Sequence, residues 1–406
     1  MLIGRDRVRA PSGAEIAAAS TIVEPESVGE ISEVVRFCEA GGISLAPVGA
    51  ARTLSQIRRA PVAVGASLKR LAKVVAYEPD DMTVVAEAGI TVAALNVQLA
   101  RSRQRLPVDP REPGLTSLGA LIGASHAGPL RLSEGTARDL LIGIRFVGHG
   151  GAAIHGGGRV VKNVAGYDLM KVMGGSFGTL GIITEATFKV RPIPEKYCLA
   201  MLPYENSADA FAAASALNNA LPLSNLDLLS PGLAAQFGAN RYLLLVGFSG
   251  SPLEISYQTD KIAQLTGARR ENLDHESAAE TYNRLRDLDP GPASLVAQIA
   301  VPPAALARTL ESCGAEFHAH AANGVANILS PAETTTDRAR TAVALWRETA
   351  HAARGVLRIV AASPELRDGL EMFDTPNSGA LAIMRRLKSA FDPAGIFNPG
   401  CFVGGI

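Results

Sequence analysis

The sequence predicts an α+β protein with a glycine-rich first part and a second part built on an antiparallel sheet. Its 406 residues exceed what one simple core holds, so two or three domains are expected. Six glycines fall between Gly156 and Gly175, amid short strands and helices. From Lys196 onward, two successive rounds of strands with two helices indicate an antiparallel sheet covered on one face.

The composition is that of a well-packed globular chain. Hydrophobic residues make up 47% and charged residues 19% of the sequence. Lys plus Arg equal Asp plus Glu at 39 each, so no net field attracts nucleic acid or an anionic membrane. Aromatic residues are only 5%, which disfavours a base-stacking surface. We therefore expect no nucleic-acid partner.

The cysteines and the hydropathy pattern favour a cytoplasmic protein. No C-x-x-C pair occurs among Cys38, Cys198, Cys313 and Cys401. This excludes an iron–sulfur cluster or zinc ribbon held by this chain alone and fits a reducing compartment. No apolar signal segment follows Met1, and no run of eighteen apolar residues occurs. Contact with a membrane is expected only through partners.

The first α/β unit ends in a turn suited to phosphate. Strands are predicted at residues 21–23 and 43–48, and the helix between them runs from 25 to 38 and ends at Gly41-Gly42. Residues 47–53 then join the second strand to helix-like sequence. The backbone N–H groups of such a turn can hold a diphosphate.

The middle of the first part continues the alternation. Strands are predicted at 62–64, 73–77 and 83–88, and Thr91 is a plausible N-cap for a helix at 92–101. An extended segment with two prolines, 106–110, leads to a small-residue turn and short helix at 116–120. A strand at 140–147, a hairpin turn at 148–151 and a strand at 152–155 precede the glycine-rich stretch.

The glycine-rich stretch, residues 156–192, predicts a backbone that faces a ligand. It contains a short apolar helix at 169–173 and a strand of alternating character from Ile182 to Val190. Glycine costs about 0.5–1 kcal/mol per position inside a regular element, so this density indicates positive φ angles or close approach to a ligand. Bare N–H groups hold anions and polar ring edges, which points to a flat or phosphorylated ligand. A set of ordinary tight turns is the alternative.

Two common nucleotide motifs are rejected. No G-x-x-x-x-G-K-[ST] occurs, so the sequence contains no P-loop. Residues 148–153 formally match G-x-G-x-x-A after a strand. Another strand and a glycine run follow them, however, instead of the helix that a dinucleotide fold requires.

The second part consists of two rounds of strands and helices. The first round has strands at 198–202, 224–229 and 242–248 and helices at 207–219 and 253–266. The second has strands at 293–301, 316–321, 325–329 and 356–361 and helices at 303–313 and 334–354. A helix at 380–391 is stopped by D-P and N-P-G, which predicts a rigid end that returns to the first domain.

The order of these elements and three motifs resemble the FAD-binding oxidoreductases of the vanillyl-alcohol oxidase (PCMH-type) family. The motifs are K-N-V-A-G-Y-D-L at 162–169, G-S-F-G-T-L-G-I-I-T-E at 175–185, and the segment from Leu387-Lys388 to Asn398-Pro399-Gly400. The likeness covers nearly the whole chain. It is strongest in the branch of glycolate and D-lactate dehydrogenases, with the FAD-binding small subunits of bacterial glycolate oxidase.

The resemblance implies a two-lobed PCMH-type FAD-binding domain (1–195), an α+β cap domain with an antiparallel sheet (196–375) and a C-terminal segment (376–406) packing on the first domain. Non-covalent FAD would lie between the two lobes, with its diphosphate on 47–53 and 116–119 and its adenine end near 178–183. The implied cofactor-binding residues are Pro47, Val48, Gly49, Ala50, Ala51, Arg52, Thr53, Pro107, Thr116, Ser117, Leu118, Gly119, Gly128, Asp168, Gly178, Ile182, Ile183 and Asn398.

The phosphate turn departs from the family's usual P-R-G-G-G-T. Here it reads P-V-G-A-A-R-T, and each added methyl group obstructs approach to a backbone N–H. No His or Cys in this turn offers a covalent attachment to the flavin. His126, beside the second phosphate segment, is interpreted as a wall residue.

The cap also departs from the catalytic members of this branch, which carry histidine and glutamate metal ligands there. Residues 317–327 resemble the pattern H-x-G-D-G-N-x-H without its Asp and final His, and no E-H-G follows. His318 and His320 share one face of a strand and could bind a metal if a third ligand were present. We predict no metal and interpret both as cap-surface or interface residues. No catalytic residue is assigned.

Several other polar residues are candidates for contacts in the cavity. Arg52, Arg131, Arg138 and Arg145 could hold a carboxylate or flavin phosphate through bidentate bonds, with surface ion pairs as the alternative. Tyr167 either positions groups near the flavin or is a half-buried packing residue.

The resemblance implies an FAD-binding subunit of a heteromeric glycolate dehydrogenase. Oxidation of a 2-hydroxy acid would pass a hydride to flavin and electrons to an iron–sulfur subunit, with a larger FAD-binding subunit as the main catalytic partner. One alternative is a self-sufficient FAD-dependent D-2-hydroxy-acid dehydrogenase with His126 or His320 as the base. Another is a non-catalytic assembly subunit that has lost FAD. The complex is expected in the cytoplasm, at most peripheral to the inner membrane.

Overall fold

The computed structural model contains two compact units. It describes residues 3–57, 60–158, 166–267, 271–272, 275–291, 295–331, 334–367 and 369–406, so positions 162–165 of the first family motif lie outside the described residues. Met1–Ala127, Thr136–Ile193 and Thr375–Ile406 form the first unit, and Gly128–Gly135 with Pro194–Asp374 form the second. The segment Gly128–Gly135, assigned above to the first domain, therefore groups with the second unit.

The elements follow one another in a mixed order. The strands are β1 (Val8–Arg9), β2 (Ala19–Val23), β3 (Leu45–Val48), β4 (Val62–Ser67), β5 (Val74–Glu78), β6 (Thr83–Glu87), β7 (Gln104–Arg105), β8 (Leu141–Val147), β9 (Ala153–Gly157), β10 (Ile182–Lys189), β11 (Arg191–Pro192), β12 (Lys196–Tyr204), β13 (Asn225–Leu229), β14 (Tyr242–Gly250), β15 (Glu271–Asn272), β16 (Leu295–Ala300), β17 (Glu316–His320), β18 (Val325–Leu329) and β19 (Val356–Ala362). The helices are α1 (Val28–Gly41), α2 (Arg52–Ile57), α3 (Val92–Leu99), α4 (Leu118–Gly123), α5 (Arg131–Glu134), α6 (Ala137–Leu140), α7 (Leu169–Met173), α8 (Ser207–Ala220), α9 (Pro231–Ala234), α10 (Pro252–Thr266), α11 (His275–Arg286), α12 (Leu306–Cys313), α13 (Thr336–Ala352), α14 (Pro364–Arg367) and α15 (Ser378–Phe391). Within the described ranges, none of these helices combines the length and the apolar character that a bilayer crossing requires.

The first unit opens with a small sheet in the order β1-β2-β4-β3. Strand β4 pairs in parallel with both β2 and β3; helix α1 joins β2 to β3, and α2 lies in the connection from β3 to its parallel neighbour β4. Helix α1 begins after Ser27, whose hydroxyl accepts a hydrogen bond from the N–H of Glu30, and ends at Gly42 with a φ of 60°. Its inner face, which includes Ile31 and Val35, is fully buried.

A second sheet of the first unit has the order β5-β6-β10-β8-β9, and all its neighbours are antiparallel. Strand β10 lies at its centre, so Ala186 pairs with Ala86 on one side and Ile144 on the other. Phe146 and Phe188 are buried between this sheet and its helices in the core of the unit. The glycine-rich stretch therefore leads directly into the central strand.

The C-terminal segment returns to the first unit, as the sequence predicts. The N–H of Leu45 donates to the carbonyl of Ile396 at 2.8 Å, and the N–H of Asn398 donates to the carbonyl of Leu45 at 2.7 Å. Asp392 stabilises this end of the chain because its carboxylate accepts from the N–H of Phe397 and from Lys388. Phe397 is fully buried in the core of the first unit.

The second unit is built on one sheet of eight strands in the order β15-β12-β14-β13-β17-β18-β16-β19. All neighbours are antiparallel, which confirms the antiparallel cap sheet. Helices α8 and α10 pack against β12 and β14, and helix α13 packs against β16 and β19. Helix α11 was not predicted from the sequence. It packs on β12, where Tyr282 contacts Tyr197 edge to face.

Candidate functional site

The first unit contains a cavity of about 400 Å³. The turn after β3, the start of α4 and the end of the glycine-rich stretch line it together. Twelve of the cofactor-binding residues named from the sequence are in its wall: Pro47, Val48, Gly49, Ala50, Ala51, Arg52, Thr53, Thr116, Ser117, Gly119, Gly178 and Ile183. Residues far apart in the chain thus meet at this cavity, because β3 and β10, the strands next to them, both belong to the first unit.

The turn 47–53 keeps a glycine-like backbone although it carries alanines. Ala51 has a φ of 55°, in the left-handed region that costs an L-residue about 1–2 kcal/mol. Ala51 is buried, and within the described part of the chain no acceptor is found for the backbone N–H of Ala50 or Ala51. Unpaired N–H groups at a cavity wall fit a phosphate oxygen, so the turn still fits a dinucleotide.

Two glycines keep the wall of the cavity open. A Cβ on Gly49 would lie 3.1 Å from the Ser117 hydroxyl, and a Cβ on Gly178 would lie 2.5 Å from Cγ of Pro47. Gly178 also has a φ of 71°. Any side chain at these positions would push apart the segments that form the cavity, which is the close approach that the glycine density predicts.

The second phosphate segment is held by hydrogen bonds from its backbone N–H groups to other parts of the first unit. The N–H of Leu118 donates to the carbonyl of Ile90, and the N–H of Gly119 donates to the carbonyl of Ala88. The Ser117 hydroxyl accepts from the N–H of Ala120. These N–H groups are engaged within the protein, so this segment shapes the cavity and offers fewer backbone donors than the turn 47–53.

Charges around the cavity are largely paired. Arg52 forms an ion pair with Glu112, and Lys69 forms one with the buried Glu24 at 2.5 Å. Burial opposes ionisation of Glu24, but hydrogen bonds from Lys69, Arg9 and Arg70 outweigh it and lower the pKa of Glu24 to about 2. Two other arginine candidates belong to this unit. Arg145 forms an exposed ion pair with Glu185, which agrees with the alternative of surface ion pairs, and Arg138 is exposed.

His126 lies in the cavity wall, and its Nε2 is 2.9 Å from the hydroxyl of Thr53. This bond ties the end of the turn 47–53 to the segment after α4. The position agrees with the interpretation of His126 as a wall residue.

Six named residues are not in the wall of this cavity. Leu118 and Ile182 are fully buried. Gly128 belongs to the second unit, and Asp168 accepts a hydrogen bond from the N–H of Lys171 as the N-cap of α7. Asn398 is buried, and its amide donates to the carbonyl of Phe177. Pro107 is also absent from the lining.

Other wall residues were missed by the sequence reasoning. They include Gly89, Thr91, Gly123, Ala124 and Phe177, whereas Gly181 falls within the range 178–183 expected near the adenine end. A Cβ on Gly89 would lie 1.8 Å from the carbonyl oxygen of Leu68, and Gly181 has a φ of 147°. For Gly89, the available signal was its position directly after the strand predicted at 83–88.

A buried polar cluster lies in the second unit, on β13 and β17. One carboxylate oxygen of Asp227, Oδ1, is 2.9 Å from Nε2 of His318 and 2.7 Å from Nδ1 of His320. Its other oxygen, Oδ2, accepts from the amide of Asn225. The interpretation of His318 and His320 as surface residues is wrong, because they are 7% and 6% exposed.

The ionisation of the cluster follows from these bonds. Burial opposes the charge on Asp227, but the hydrogen bonds from His318 and His320 outweigh it and hold the pKa of Asp227 well below its usual range. Burial lowers the pKa of His320, against the raising effect of Asp227. The cluster is therefore an ionised carboxylate that orients two imidazoles.

Asp227, His318 and His320 offer ligand atoms within 4.8 Å of one another, so the metal that the resemblance implies must be tested against them. A carboxylate only accepts, so each imidazole nitrogen facing Asp227 carries a proton and has no lone pair for a metal. Both carboxylate oxygens already accept N–H groups. In the neutral form of each ring the opposite nitrogen keeps its lone pair, and a carboxylate that holds the other ring nitrogen is a common way to orient metal-ligating histidines, so the two imidazoles do fit a metal, with Asp227 orienting them.

Two family models match the chain. One, described as "FAD binding domain", matches residues 19–157, and one described as "FAD linked oxidases, C-terminal domain" matches residues 370–401. The first covers the turn 47–53 and the start of α4. The second covers the segment that returns to β3.

Curated relatives support the same group. A mitochondrial D-lactate dehydrogenase [cytochrome] of Arabidopsis thaliana is 27% identical over 93% of this chain and 72% of its own length. Glycolate oxidase subunit GlcE of Escherichia coli (strain K12) is 37% identical over 30% of this chain and 35% of that protein. Glycolate oxidase subunit GlcD of Bacillus subtilis (strain 168) is 29% identical over 46% of this chain and 40% of that protein. The chain thus matches well under half the length of both glycolate oxidase subunits.

Solved structures show the same fold at low identity. An alkyldihydroxyacetonephosphate synthase aligns with 98% of this chain and 84% of its own at a TM-score of 0.72 and 17% identity. A p-cresol methylhydroxylase with substrate bound aligns with 98% of this chain and 94% of its own at a TM-score of 0.71 and 17% identity.

Proposed function

Because the chain belongs to the PCMH-type family of FAD-binding oxidoreductases and uses FAD, we propose that it is an FAD-binding subunit of a heteromeric 2-hydroxy-acid dehydrogenase acting on glycolate or a close analogue. One observation carries the proposal: the turn 47–53 borders an open cavity in the first unit and keeps unpaired N–H groups. The names of the relatives, glycolate oxidase subunits and D-lactate dehydrogenase, support the substrate class.

The residues of the first unit bind and orient the cofactor in this proposal. The N–H groups of Ala50 and Ala51 hold phosphate oxygens, and Gly49 and Gly178 allow the dinucleotide to approach the backbone. Bound FAD supplies the acceptor for the hydride of the CH–OH group. The twelve wall residues named above are the proposed contacts. Arg52 is paired with Glu112, so the backbone carries most of the phosphate binding.

The attachment of FAD is proposed to be non-covalent. The turn 47–53 contains no His or Cys. Among the lining residues that the structure describes, His126 is the imidazole at the wall, and it is engaged with the hydroxyl of Thr53.

Two considerations support a heteromeric assembly. Two relatives are named as subunits of glycolate oxidase, and the second unit lacks the metal ligand pattern expected of a catalytic cap. We therefore propose a larger FAD-binding catalytic subunit and an iron–sulfur subunit as partners, in the cytoplasm, with membrane contact only through them. The domain limits proposed for this subunit are 1–195, without the segment Gly128–Gly135 that groups with the second unit, then 196–375 and 376–406.

A self-sufficient FAD-dependent D-2-hydroxy-acid dehydrogenase is the second candidate. The Asp227–His320 pair favours it, because a carboxylate that fixes the tautomer of an imidazole is a common device for preparing a base. This candidate predicts flavin reduction by the isolated chain.

The test is the visible spectrum of the purified chain, before and after addition of FAD and glycolate. Flavin bands that persist with glycolate and bleach only after the partner subunits are added support the proposal. Bleaching with glycolate alone supports the self-sufficient enzyme. A protein that stays colourless after incubation with FAD contradicts both and leaves an assembly subunit. Gly49→Val should abolish the bands, since it fills the space beside Ser117, and circular dichroism of the variant checks that the chain is still folded.

A further inference from the structure

Residues 4–17 of the first unit, here called the strap, lie against the wall of the cavity. A short helical turn of the strap, Gly13–Ala17, contacts helix α2, which continues the turn 47–53. Glu15, on this helical turn, is itself one of the residues that line the cavity. The strap therefore forms part of the wall beside the turn proposed to bind phosphate.

Hydrophobic burial contributes little to the attachment of the strap. Residues 4–17, all of which the structure describes, include no buried residue, whereas Ile3 and Ala18 on either side are 5% and 0% exposed. Strand pairing is limited to the two residues of β1, which lie opposite the end of β2. Between its two buried ends, the strap is thus held mainly by hydrogen bonds and ion pairs.

Arg9, on β1, is the centre of these polar contacts. Its Nη1 and Nη2 donate to the two carboxylate oxygens of Glu15 at 2.7 and 2.8 Å, and its Nε donates to Glu24 at 2.7 Å. The pairing with Glu15 is bidentate, which gives a guanidinium and a carboxylate a fixed relative orientation as well as strength. We call Arg9, Glu15 and Glu24 the latch, because they join the strap to the end of β2.

The latch lies at the edge of the small sheet that borders the cavity. Strands β2 and β3 both pair in parallel with β4, so the carboxyl ends of the three strands meet at one edge. Glu24 directly follows β2, the turn 47–53 follows β3, and Lys69 comes shortly after β4. Ligands of parallel sheets bind in the crevice outside this edge, so the latch lies next to the proposed cofactor site.

Glu24 extends the latch to a second place in the cavity wall. Its carboxylate accepts from Nζ of Lys69 at 2.5 Å and from Nε of Arg70 at 3.2 Å, and Lys69 lines the cavity. The side chain of Glu24 is only 4% exposed, so the surrounding protein fixes its position. Arg9 therefore acts on the wall twice, through Glu15 and through the pair of Glu24 with Lys69.

Both acids of the latch are ionised at neutral pH. The hydrogen bond from Arg9 is the largest effect on Glu15, and it lowers the pKa of that carboxyl. The pKa of Glu24 is lowered to about 2 by the hydrogen bonds described above, against the opposing effect of burial. The latch is therefore closed under neutral conditions.

We propose that Arg9 is a positioning residue of the cofactor site, which holds the strap along the cavity wall and thereby slows the release of bound FAD. Arg9 is not one of the described lining residues, so it acts through Glu15 and Glu24. Without Arg9, the strap loses its main attachment and can move away from α2, which opens a path out of the cavity. This inference rests on the placement of FAD in this cavity, which belongs to the proposed function.

The test measures how fast FAD leaves the full chain. Chain loaded with FAD is diluted rapidly, and the flavin that stays with the protein is measured after filtration at timed intervals. Arg9→Gln should release FAD about tenfold faster, since it loses charge-assisted hydrogen bonds to two carboxylates. Arg9→Lys keeps the charge without the bidentate geometry and should show an intermediate rate. The control is Arg101→Gln, at an exposed arginine outside the strap, which should release FAD as the unmodified chain does.

Two further readouts distinguish the latch from a general loss of stability. Added sodium chloride should speed FAD release from the unmodified chain, because salt screens partly exposed ion pairs, and should have a weaker effect on Arg9→Gln. Hydrogen exchange of the flavin-free chain, followed by mass spectrometry, should be faster in residues 10–18 of Arg9→Gln and unchanged in the second unit. If Arg9→Gln does not fold, Arg9→Lys replaces it in each comparison.

Two results would overturn this inference alone. One is an equal rate of FAD release from the unmodified chain and from a folded Arg9→Gln variant. The other is faster release without faster hydrogen exchange in residues 10–18, which would show that Arg9 does not act through the strap. A chain that takes up no FAD at all would contradict the proposed function as well, so the two failures are distinguishable.

Discussion

Gly178 faces the ring of Pro47 so closely that a Cβ on the glycine would lie 2.5 Å from Cγ of the proline. The contact joins the end of the glycine-rich stretch to the start of the turn 47–53. Both residues line the cavity of the first unit. The spacing between two backbone segments, rather than any single side chain, therefore sets the width of the proposed cofactor site.

Replacing Gly178 by Ala should widen this contact and strain the backbone. Its φ of 71° is unfavourable for alanine, and the proline ring cannot rotate away, so we expect a loss of stability of about 1–3 kcal/mol. FAD retention after gel filtration should fall as well. Gly29→Ala is the control, since the nearest atom to its added Cβ is 3.7 Å away. Equal melting temperatures for both variants would contradict the prediction.

Two neighbouring alanines should respond in opposite ways to glycine. Ala51 has a positive φ, so Ala51→Gly relieves about 1–2 kcal/mol of strain, partly offset by the greater freedom of glycine in the unfolded chain. Ala50 has no such strain, and Ala50→Gly should cost about 0.4–1 kcal/mol. Chemical denaturation of both variants checks the contrast. FAD titration should also show tighter binding by Ala51→Gly, because a methyl group leaves the turn.

Stability should depend on pH through Glu24. Its folded pKa is lowered to about 2, so the stabilisation is present above the unfolded pKa and is lost as the pH falls from about 4.5 toward 2. Glu24→Gln should be less stable at neutral pH and should lose less stability over this acid range. The exposed Glu205→Gln is the control, with a profile like the unmodified chain. Parallel acid profiles for Glu24→Gln and the unmodified chain would refute the assignment.

Asp227→Asn should destabilise the second unit. The amide keeps the shape of the side chain but lacks the negative charge with which Asp227 accepts from two imidazoles and from Asn225. Buried N–H groups therefore lose partners, and we expect a loss of stability of about 1–3 kcal/mol. Thermal unfolding followed by circular dichroism measures the loss. Asp337→Asn, at a 94% exposed side chain, should change stability by less than about 0.5 kcal/mol. Similar losses for both variants would count against a structural role for the cluster.

Local elements were well predicted wherever apolar spacing was regular. The helix at 169–173 and the strand at 325–329 have the predicted bounds as α7 and β18. Helix α11 was missed because its sequence is largely polar, and its contact with Tyr197 is made across the chain. The twelve wall residues came from short contiguous motifs, whereas Gly89 was missed because the carbonyl oxygen that it approaches belongs to Leu68, on another segment.

The sequence by itself determined the order of elements, the turn 47–53 and the family, because these depend on neighbours along the chain. Only the tertiary structure brought Asp227 to His318, 91 positions apart, and Arg358 to Gln298, 60 positions apart. Strand pairing decides such contacts, and shifting the register of one strand by a single residue would turn its side chains to the other face. No spacing in the sequence records that register, so these contacts became visible only once the sheet was assembled.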